Sequence, residues 1–462
     1  MNRSSVFRFS AAYILFLIAL AGCNKKENTV AIIGVSLTPT TLRMTVGDEQ
    51  TLQVDILPED ATDKRIIWVS DNPDVATVKD GNVKAVSDGN AIITVKTADG
   101  GKTATCDVAV LLSEMPLAKL EAEQLPDLRT ARSDHIAFVA NGEIVVAGGH
   151  KTGFEPSNTA EYFKDGEWTQ ITMKAAHDFA FSVRLSDDRM MIGGGCSSGG
   201  GVGQSKSVDI YDPTTHSFQA GANMITARTM PGAVEIADGK ILVSGNWYAD
   251  DGLEMYNPTN SAFEEVKPVS VSRYIPYLFR TAADNAVIFT NGICDRYNGD
   301  AFEFPLFETW RPVVLGTNWR SSECAIGEYS YLLLLQDKSS SNNFALAKLE
   351  GESLSLVETD FDFPWLINGD AITYSGQVFT VPENKTAYVL GYSGTESAPV
   401  YIVMTIDYGR TPARVSMKAT DPLNAFASIY GSVLHPDGRL VLTGGIYNSN
   451  YSPYATVWAL KP

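Results

Sequence analysis

The sequence predicts an all-β protein in which a small β-sandwich precedes a larger assembly of repeated four-stranded sheets. Three observations predict it. Residues 34–112 alternate apolar and polar positions in short runs broken by turn residues, the period-two signature of half-buried strands. From about residue 117 onward, strands, glycines and aromatics return with a period near fifty residues, which marks an array of structural repeats. The composition, 10% aromatic and 19% charged with 38 glycines, suits a globular β-rich chain, and 462 residues exceed one ordinary domain.

The chain opens with Arg3 and Arg8, followed by an apolar run from Ala11 to Ala21. That run is short for a bilayer span and is patterned as the core of a secretory signal. It ends in Leu20-Ala21-Gly22-Cys23, which resembles the lipobox of bacterial lipoproteins. The resemblance implies removal of residues 1–22 as a signal peptide and acylation of Cys23, with residues 23–33 as a tether. Asn24 after the cysteine implies, by the same resemblance, the outer membrane and the cell surface, with the periplasmic face as the alternative. Loss of Arg3 and Arg8 moves the formal charge from −18 to −20. Such an acidic chain is a poor partner for nucleic acid or a bare anionic membrane, so membrane contact is expected through the lipid anchor only.

Four further cysteines, Cys106, Cys196, Cys294 and Cys324, show neither a CxxC nor a Cys/His spacing that would hold zinc. Small buried thiols are expected, with no metal, no cofactor and no particular disulfide pair.

In the first domain, strands are expected at Thr41–Val46, Thr51–Val54 and Ala91–Val95, with breaks at Gly47-Asp48, Pro58-Glu59-Asp60, Asn72-Pro73-Asp74, Asp80-Gly81 and Gly100-Gly101. The order of Gly47, Trp68, Ser70-Asp71, Val75-Ala76-Thr77-Val78, Gly81, Val83, Gly89 and Asp107-Val108-Ala109-Val110 resembles the bacterial immunoglobulin-like group 2 family over the whole segment. The resemblance implies about seven strands, Trp68 in the core of a central strand, and a stalk that holds the next domain off the membrane.

In the second domain, apolar strands ending in small residues recur at Glu143–Gly149, Arg189–Gly194, Lys240–Gly245 and Arg439–Gly445, with weaker copies at Ala286–Gly292, Tyr331–Leu335 and Ala387–Gly391. Aromatic pairs follow: Tyr162 with Trp168, Tyr211 with Phe218, Tyr256 with Phe263, and Trp458 near the end. The segments Tyr211-Asp-Pro-Thr-Thr-His-Ser-Phe218 and Tyr256-Asn-Pro-Thr-Asn-Ser-Ala-Phe263 resemble kelch repeats, which implies a kelch-type β-propeller over residues 117–462. Seven second strands give seven blades, with six as the alternative. The strand near Thr456–Leu460 is expected to share a blade with one near Leu117–Leu128, which closes the ring and removes exposed sheet edges. The resemblance also implies that the double glycines and aromatics serve blade packing.

With strands named A to D from axis to rim, the B–C and D–A connections open on one face. The B–C loops at His150–Asn158, Gly195–Lys206, Asn246–Asp251 and Ile446–Tyr454 are long and polar, whereas several A–B turns are tight. Loops lengthened on one face point to binding there. Arginines recur before the inner strands as Arg132, Arg228, Arg273 and Arg320, with Asp134-His135 and His177-Asp178 in neighbouring phases. Placed around a channel mouth, they are candidates for holding carboxylates or an acidic sugar. Trp247, Tyr248, Trp319, Trp365, Tyr447, Tyr451 and Tyr454 are candidate sugar-stacking aromatics.

Copper radical oxidases of the galactose-oxidase kind share the kelch architecture. The five histidines here, His135, His150, His177, His216 and His435, lack the Cys–Tyr context of that centre. Sialate mutarotase activity, known for an exported kelch protein, would cast Arg132, Asp134 and His177 in acid–base roles. The expectation is a surface binding module for a glycan or a protein, serving adhesion or glycan capture, with the sugar-active enzyme as the alternative.

Overall fold

The computed structural model describes residues 29–462 except 100, 113, 199–201, 248–251, 267–275, 291–292, 299–303, 314–319 and 447–451. Strands dominate, and short 3₁₀ turns are the helical elements among the described residues. The chain divides into two compact units at Ser113/Glu114.

In the first unit, a four-stranded sheet runs in the order Thr41–Thr45, Thr103–Leu111, Gly89–Thr97, Ile66–Ser70. Its first pair is parallel and the others antiparallel. A three-stranded sheet of Glu49–Thr51, Asn82–Ala85 and Ala76–Lys79 accompanies it, as does the pair Gly34–Thr38 with Gln53–Leu57. Alternation decides the core: Ala91, Ile93 and Val95 point inward beside Cys106, Val108 and Val110, because successive side chains of a strand face opposite ways. Trp68 departs from expectation. It lies half-buried on the edge strand and packs against this core from its border.

The second unit contains seven sheets of three to five strands among its described residues, each built around one of the seven apolar second strands. Sheets 1, 2 and 3 are four-stranded antiparallel meanders over Ile136–Thr172, Phe181–Ala220 and Gly232–Val266. Sheet 4, Tyr277–Arg296, has three strands. Sheet 5 carries two short segments, Trp310–Pro312 and Ala325–Gly327, on one edge of Ser330–Asp337, followed by Phe344–Glu350 and Ser353–Leu356. Sheet 6 spans Thr373–Ala419 and gains Leu117–Lys119 as a parallel fifth strand, which the sequence did not suggest. Sheet 7 joins both ends of the unit: Glu121–Leu125 pairs antiparallel with Val457–Lys461, beside Leu440–Thr443 and Ser432–Leu434.

Inner strands are buried on both faces because each sheet packs against two neighbours. Phe138 and Val145 of sheet 1 meet Met190, Ile192 and Tyr211 of sheet 2. Further cores join sheets 2 and 3, sheets 3 and 4, sheets 4 to 6, and sheets 6 and 7. Val433, Val441 and Val457 of sheet 7 then meet Ala137 and Val146 of sheet 1. Backbone bonds repeat this succession: Gly149 N–H donates to the His177 carbonyl (2.8 Å), Gly195 N–H to that of Arg228 (2.7 Å), and Gly445 N–H to that of Arg132 (2.8 Å). Sheet 7 is therefore stitched to sheet 1 as sheet 1 is to sheet 2.

Of the aromatic pairs, Tyr211–Phe218 and Tyr256–Phe263 are in ring contact at 5.0 and 5.4 Å. Trp168 instead meets Phe163, its cross-strand partner, and Tyr162 stacks on His216 at 4.0 Å. The four cysteines Cys106, Cys196, Cys294 and Cys324 are buried and unbridged.

Candidate functional site

The turn before each of the first three inner strands has one construction. Arg132, His177 and Arg228 are fully buried, and each meets a carboxylate on the third strand of its own sheet. Arg132 Nη2 lies 2.7 Å from Glu161 Oε1, His177 Nε2 3.1 Å from Asp209 Oδ2, and Arg228 Nε 2.7 Å from Glu254 Oε1. The same carboxylates accept backbone N–H bonds from the incoming turn: Glu161 from Arg129 and Thr130, Asp209 from Lys174 and Ala175, Glu254 from Ile225. Each of the three side chains also donates to a glycine carbonyl at the end of the second strand, Arg132 to Gly148, His177 to Gly194 and Arg228 to Gly245. A buried charge must be paired and hydrogen-bonded to be tolerated, and here nearly every donor is spent inside the sheet.

This corrects the expectation for Arg132, Arg228 and His177. They brace the D–A turn from behind and present no guanidinium or imidazole to the loop face. Asp295 is buried in the corresponding register of sheet 4. Arg273, expected in the same series, lies outside the described residues, as do Cys23, Tyr248, Trp319, Tyr447 and Tyr451.

Two residues after each of these side chains the backbone turns left-handed, at Asp134 (φ 51°), Phe179 (φ 59°) and Met230 (φ 53°). Aspartate tolerates this region; Phe and Met adopt it at a cost. The Phe179 N–H donates to the Asp134 carbonyl (3.4 Å) and the Met230 N–H to that of Phe179 (2.9 Å), so the strained turns are tied to one another across sheets.

Asp134 stands where these turns face a cavity. A space of about 310 Å³ opens among Asp134, Thr373, Tyr392, Phe426, Ser428 and Tyr430, contributed by sheets 1, 6 and 7. The Asp134 side chain is 30% exposed, accepts a hydrogen bond from Ser133 Oγ (2.9 Å), and lies 3.8 Å from His150 Nδ1. Tyr430 is 43% exposed, and Tyr392 and Tyr454 flank Phe426 edge-on at 5.5 and 5.9 Å. Aromatic walls beside a carboxylate and hydroxyls suit a polar ligand with apolar faces.

Behind Asp134, His150 Nδ1 meets Asp178 Oδ1 at 3.0 Å, with Phe154 and Phe179 against the ring. Burial works against the imidazolium, but the bond and charge of Asp178, with the charge of Asp134, outweigh it and raise the His150 pKa. Burial pushes the Asp178 carboxyl up to about 6, against the pull of His150. His150 and Asp178 are buried away from the cavity, so they hold the turn. His135 lies at the cavity with Nε2 2.9 Å from Thr443 Oγ1; burial, then the charges of Arg132 and His150, push its pKa down to about 3.

The remaining candidates divide. Trp365 is 43% exposed, and its carbonyl accepts the Ile372 N–H, adjacent to the cavity residue Thr373. Trp247 is 37% exposed beyond the second strand of sheet 3, away from the cavity lining. Arg320 is 7% exposed and reaches across the unit: Nη1 donates to the Ala137 carbonyl (2.8 Å) and Ser182 Oγ (3.3 Å), and Nη2 pairs with Glu323 (2.7 Å). It ties sheets 1, 2 and 5 together centrally, which corrects its assignment to the loop-face mouth. Among the described residues, no group of three His, Cys, Asp or Glu is placed to hold a metal ion.

Thr373, Tyr392, Ser428 and Tyr430 were not anticipated. A faint signal existed: Arg132, His177 and Arg228 precede Gly148, Gly194 and Gly245 by sixteen or seventeen residues. The same count back from Gly444 reaches Ala427-Ser428.

Residues 31–108 match the bacterial Ig-like domain (group 2) family and form such a domain. Over 83 residues the chain is 42% identical to an Ig-like virion protein of Serratia phage KSP90, covering 18% of this chain and 32% of that protein. Over 82 residues it is 42% identical to the kappa-carrageenase of Pseudoalteromonas carrageenovora, covering 18% and 21%. The chain thus spans about a fifth to a third of these relatives' lengths. A fungal alcohol oxidase of the AA5 family, solved in complex with copper, aligns with 75% of this chain and 76% of its own at 12% identity and a TM-score of 0.49, too distant to bear on activity.

Proposed function

We propose that this chain is an exported lipoprotein, anchored through Cys23 at the outer membrane, whose Ig-like domain is a stalk for a seven-bladed kelch-type β-propeller that binds a glycan at its B–C/D–A face. The propeller reading is supported by the repeated bond from a glycine N–H to the carbonyl of Arg132, His177 or Arg228, which joins sheet 7 to sheet 1 as it joins sheets 1 to 2 and 2 to 3. The binding reading is carried by the cavity of about 310 Å³, where Asp134 and the exposed Tyr430 meet the Tyr392/Phe426 wall. Sugars present hydroxyls to carboxylates and C–H faces to aromatic rings, and this lining offers both. The Ig-like segment shared with a virion protein and a carrageenase accords with a spacer outside the cytoplasm.

The test is a glycan array probed with the detergent-solubilised full chain and its Asp134→Asn and Tyr430→Ala variants. Saturable binding to one glycan class is expected, weakened about tenfold or more in each variant, in line with the loss of a charged hydrogen bond or a stacked ring. Binding that ignores both substitutions, or no saturable binding, removes glycan recognition from this cavity and leaves a protein ligand as the alternative.

A further inference from the structure

A second cavity, of about 430 Å³, lies at the opposite ends of the inner strands and shares no lining residue with the first. Its walls come from the ends of the first strands of sheets 2, 3 and 4, with the turn region of sheet 5. Three guanidinium groups line it, Arg184, Arg280 and Arg320, together with three carboxyl groups, Asp188, Glu235 and Glu328.

Arg320 is committed to Glu323, but the other two are not paired with a carboxylate among the described residues. Arg184 is exposed and donates to the Val139 carbonyl. Arg280 donates Nη2 to the Ala283 carbonyl (3.1 Å) and lies over the Tyr329 ring at 5.5 Å, while its buried Nε has no hydrogen-bond partner among the described residues. Glu235 shares the cavity; burial raises its pKa and the charge of Arg280 pulls it back, so the two sense each other without forming an ion pair. Ser186 and Ser322 add exposed hydroxyls.

Among the described residues, Arg184 and Arg280 have no carboxylate ion-pair partner, although Asp188, Glu235 and Glu328 line the same concavity, so both guanidinium groups keep donors to offer a ligand. Guanidinium forks match carboxylates bidentately, while Glu235 and the serines can take hydroxyl groups. We infer that this cavity is a second binding site, for a small hydroxylated carboxylate of sugar-acid type, with Arg184 and Arg280 holding the carboxylate. The volume falls in the range of small-ligand pockets. This site is independent of the loop-face reading.

The experiment is arginine modification of the full chain by phenylglyoxal, read peptide by peptide, in the presence of D-glucuronate, D-galacturonate, N-acetylneuraminate, D-glucose or inorganic phosphate. At least one sugar acid is expected to slow adduct formation at Arg184 and Arg280 about fivefold or more, leaving the exposed Arg65 unprotected. Glucose and phosphate are expected to protect neither. Binding of the protecting acid, followed by calorimetry, is expected to weaken about tenfold in Arg280→Ala and to persist in Asp134→Asn and Tyr430→Ala. Equal modification rates with every sugar acid overturn the proposal, as does protection by phosphate or glucose matching that of the acids. Loss of protection in Asp134→Asn would also overturn it, by placing the ligand at the other cavity.

Discussion

Removing the Arg132 guanidinium while keeping an apolar side chain of similar length, Arg132→Met, separates bracing from ligand binding. Arg132 is fully buried and donates to the Gly148 and Thr159 carbonyls (both 2.8 Å), Thr159 Oγ1 (3.1 Å) and Glu161 (2.7 Å). The substitution leaves the Glu161 carboxyl group buried and without its Arg132 partner. Breaking a buried pair from one side costs about 3–5 kcal/mol. For a cooperative unit the size of residues 114–462, with an unfolding entropy of about 2.1 cal/mol/K per residue, that lowers the melting temperature by roughly 4–7 °C. Neutralising the orphaned partner in Arg132→Met/Glu161→Gln should recover part of the loss, because Gln keeps an acceptor for the Arg129 and Thr130 N–H groups. The assay is thermal unfolding of the full chain followed by circular dichroism, with ligand binding measured on the same samples below the transition. A melting temperature unchanged within about 1 °C, together with abolished binding, would refute the bracing argument and return Arg132 to the ligand.

Three other outcomes follow from the same geometry. At Gly148 an added Cβ would stand 2.1 Å from the His177 carbonyl oxygen at φ +68°, whereas at Gly142 (φ +75°) it meets nothing within 4 Å; Gly148→Ala should block folded expression, and Gly142→Ala should cost only about 1 kcal/mol in a urea titration. The folded pKa of His135 is depressed from 6.5 to about 3, so its stabilising contribution is complete above pH 6.5 and shrinks by about 1.4 kcal/mol per pH unit as pH falls towards 3. His135→Gln should therefore lose less stability than the parent between pH 7 and pH 5 in urea midpoints, while groups of opposite sign such as Asp178 cancel in the comparison; parallel pH profiles would contradict the assignment. Deleting Val457–Pro462 removes the strand that pairs with both Glu121–Leu125 and Leu440–Thr443, and limited proteolysis should then cut within residues 114–462 under conditions where the parent is resistant.

Much of the architecture was legible because it rests on local repetition. Period-two alternation marked the inward faces of the first unit, such as Ala91, Ile93 and Val95, and apolar runs, six of the seven ending in glycine and the exception Tyr331–Leu335 followed by Gln336, marked the second strands of the sheets. A residue buried on both faces must be apolar whatever its neighbours are, so such strands declare themselves in sequence. The recurrence of arginine before the inner strands was also visible, but its role was not. Whether the Arg132 and Arg228 guanidiniums or the His177 imidazole face solvent or a carboxylate depends on residues twenty-six to thirty-two positions away, Glu161, Glu254 and Asp209, and pairing at that distance has no period to read.

The candidate sites depended on tertiary structure more heavily still. The cavity at Asp134 is assembled from sheets 1, 6 and 7, of which sheet 1 is distant in sequence from the other two and reaches them because the terminal strands pair. Arg184 and Arg280 meet at one mouth because the first strands of successive sheets end together, and neither stands out from the other charged residues of the chain. Arg320 looked like a member of the arginine series, yet it crosses to Ala137 and Ser182. By itself the sequence determined an all-β chain, an Ig-like domain and the recurrence of apolar strands behind it, since alternation, turn chemistry and repeat length act over a few residues. The tertiary structure decided which polar groups are spent on one another and which remain open to a ligand, since that depends on contacts between sheets.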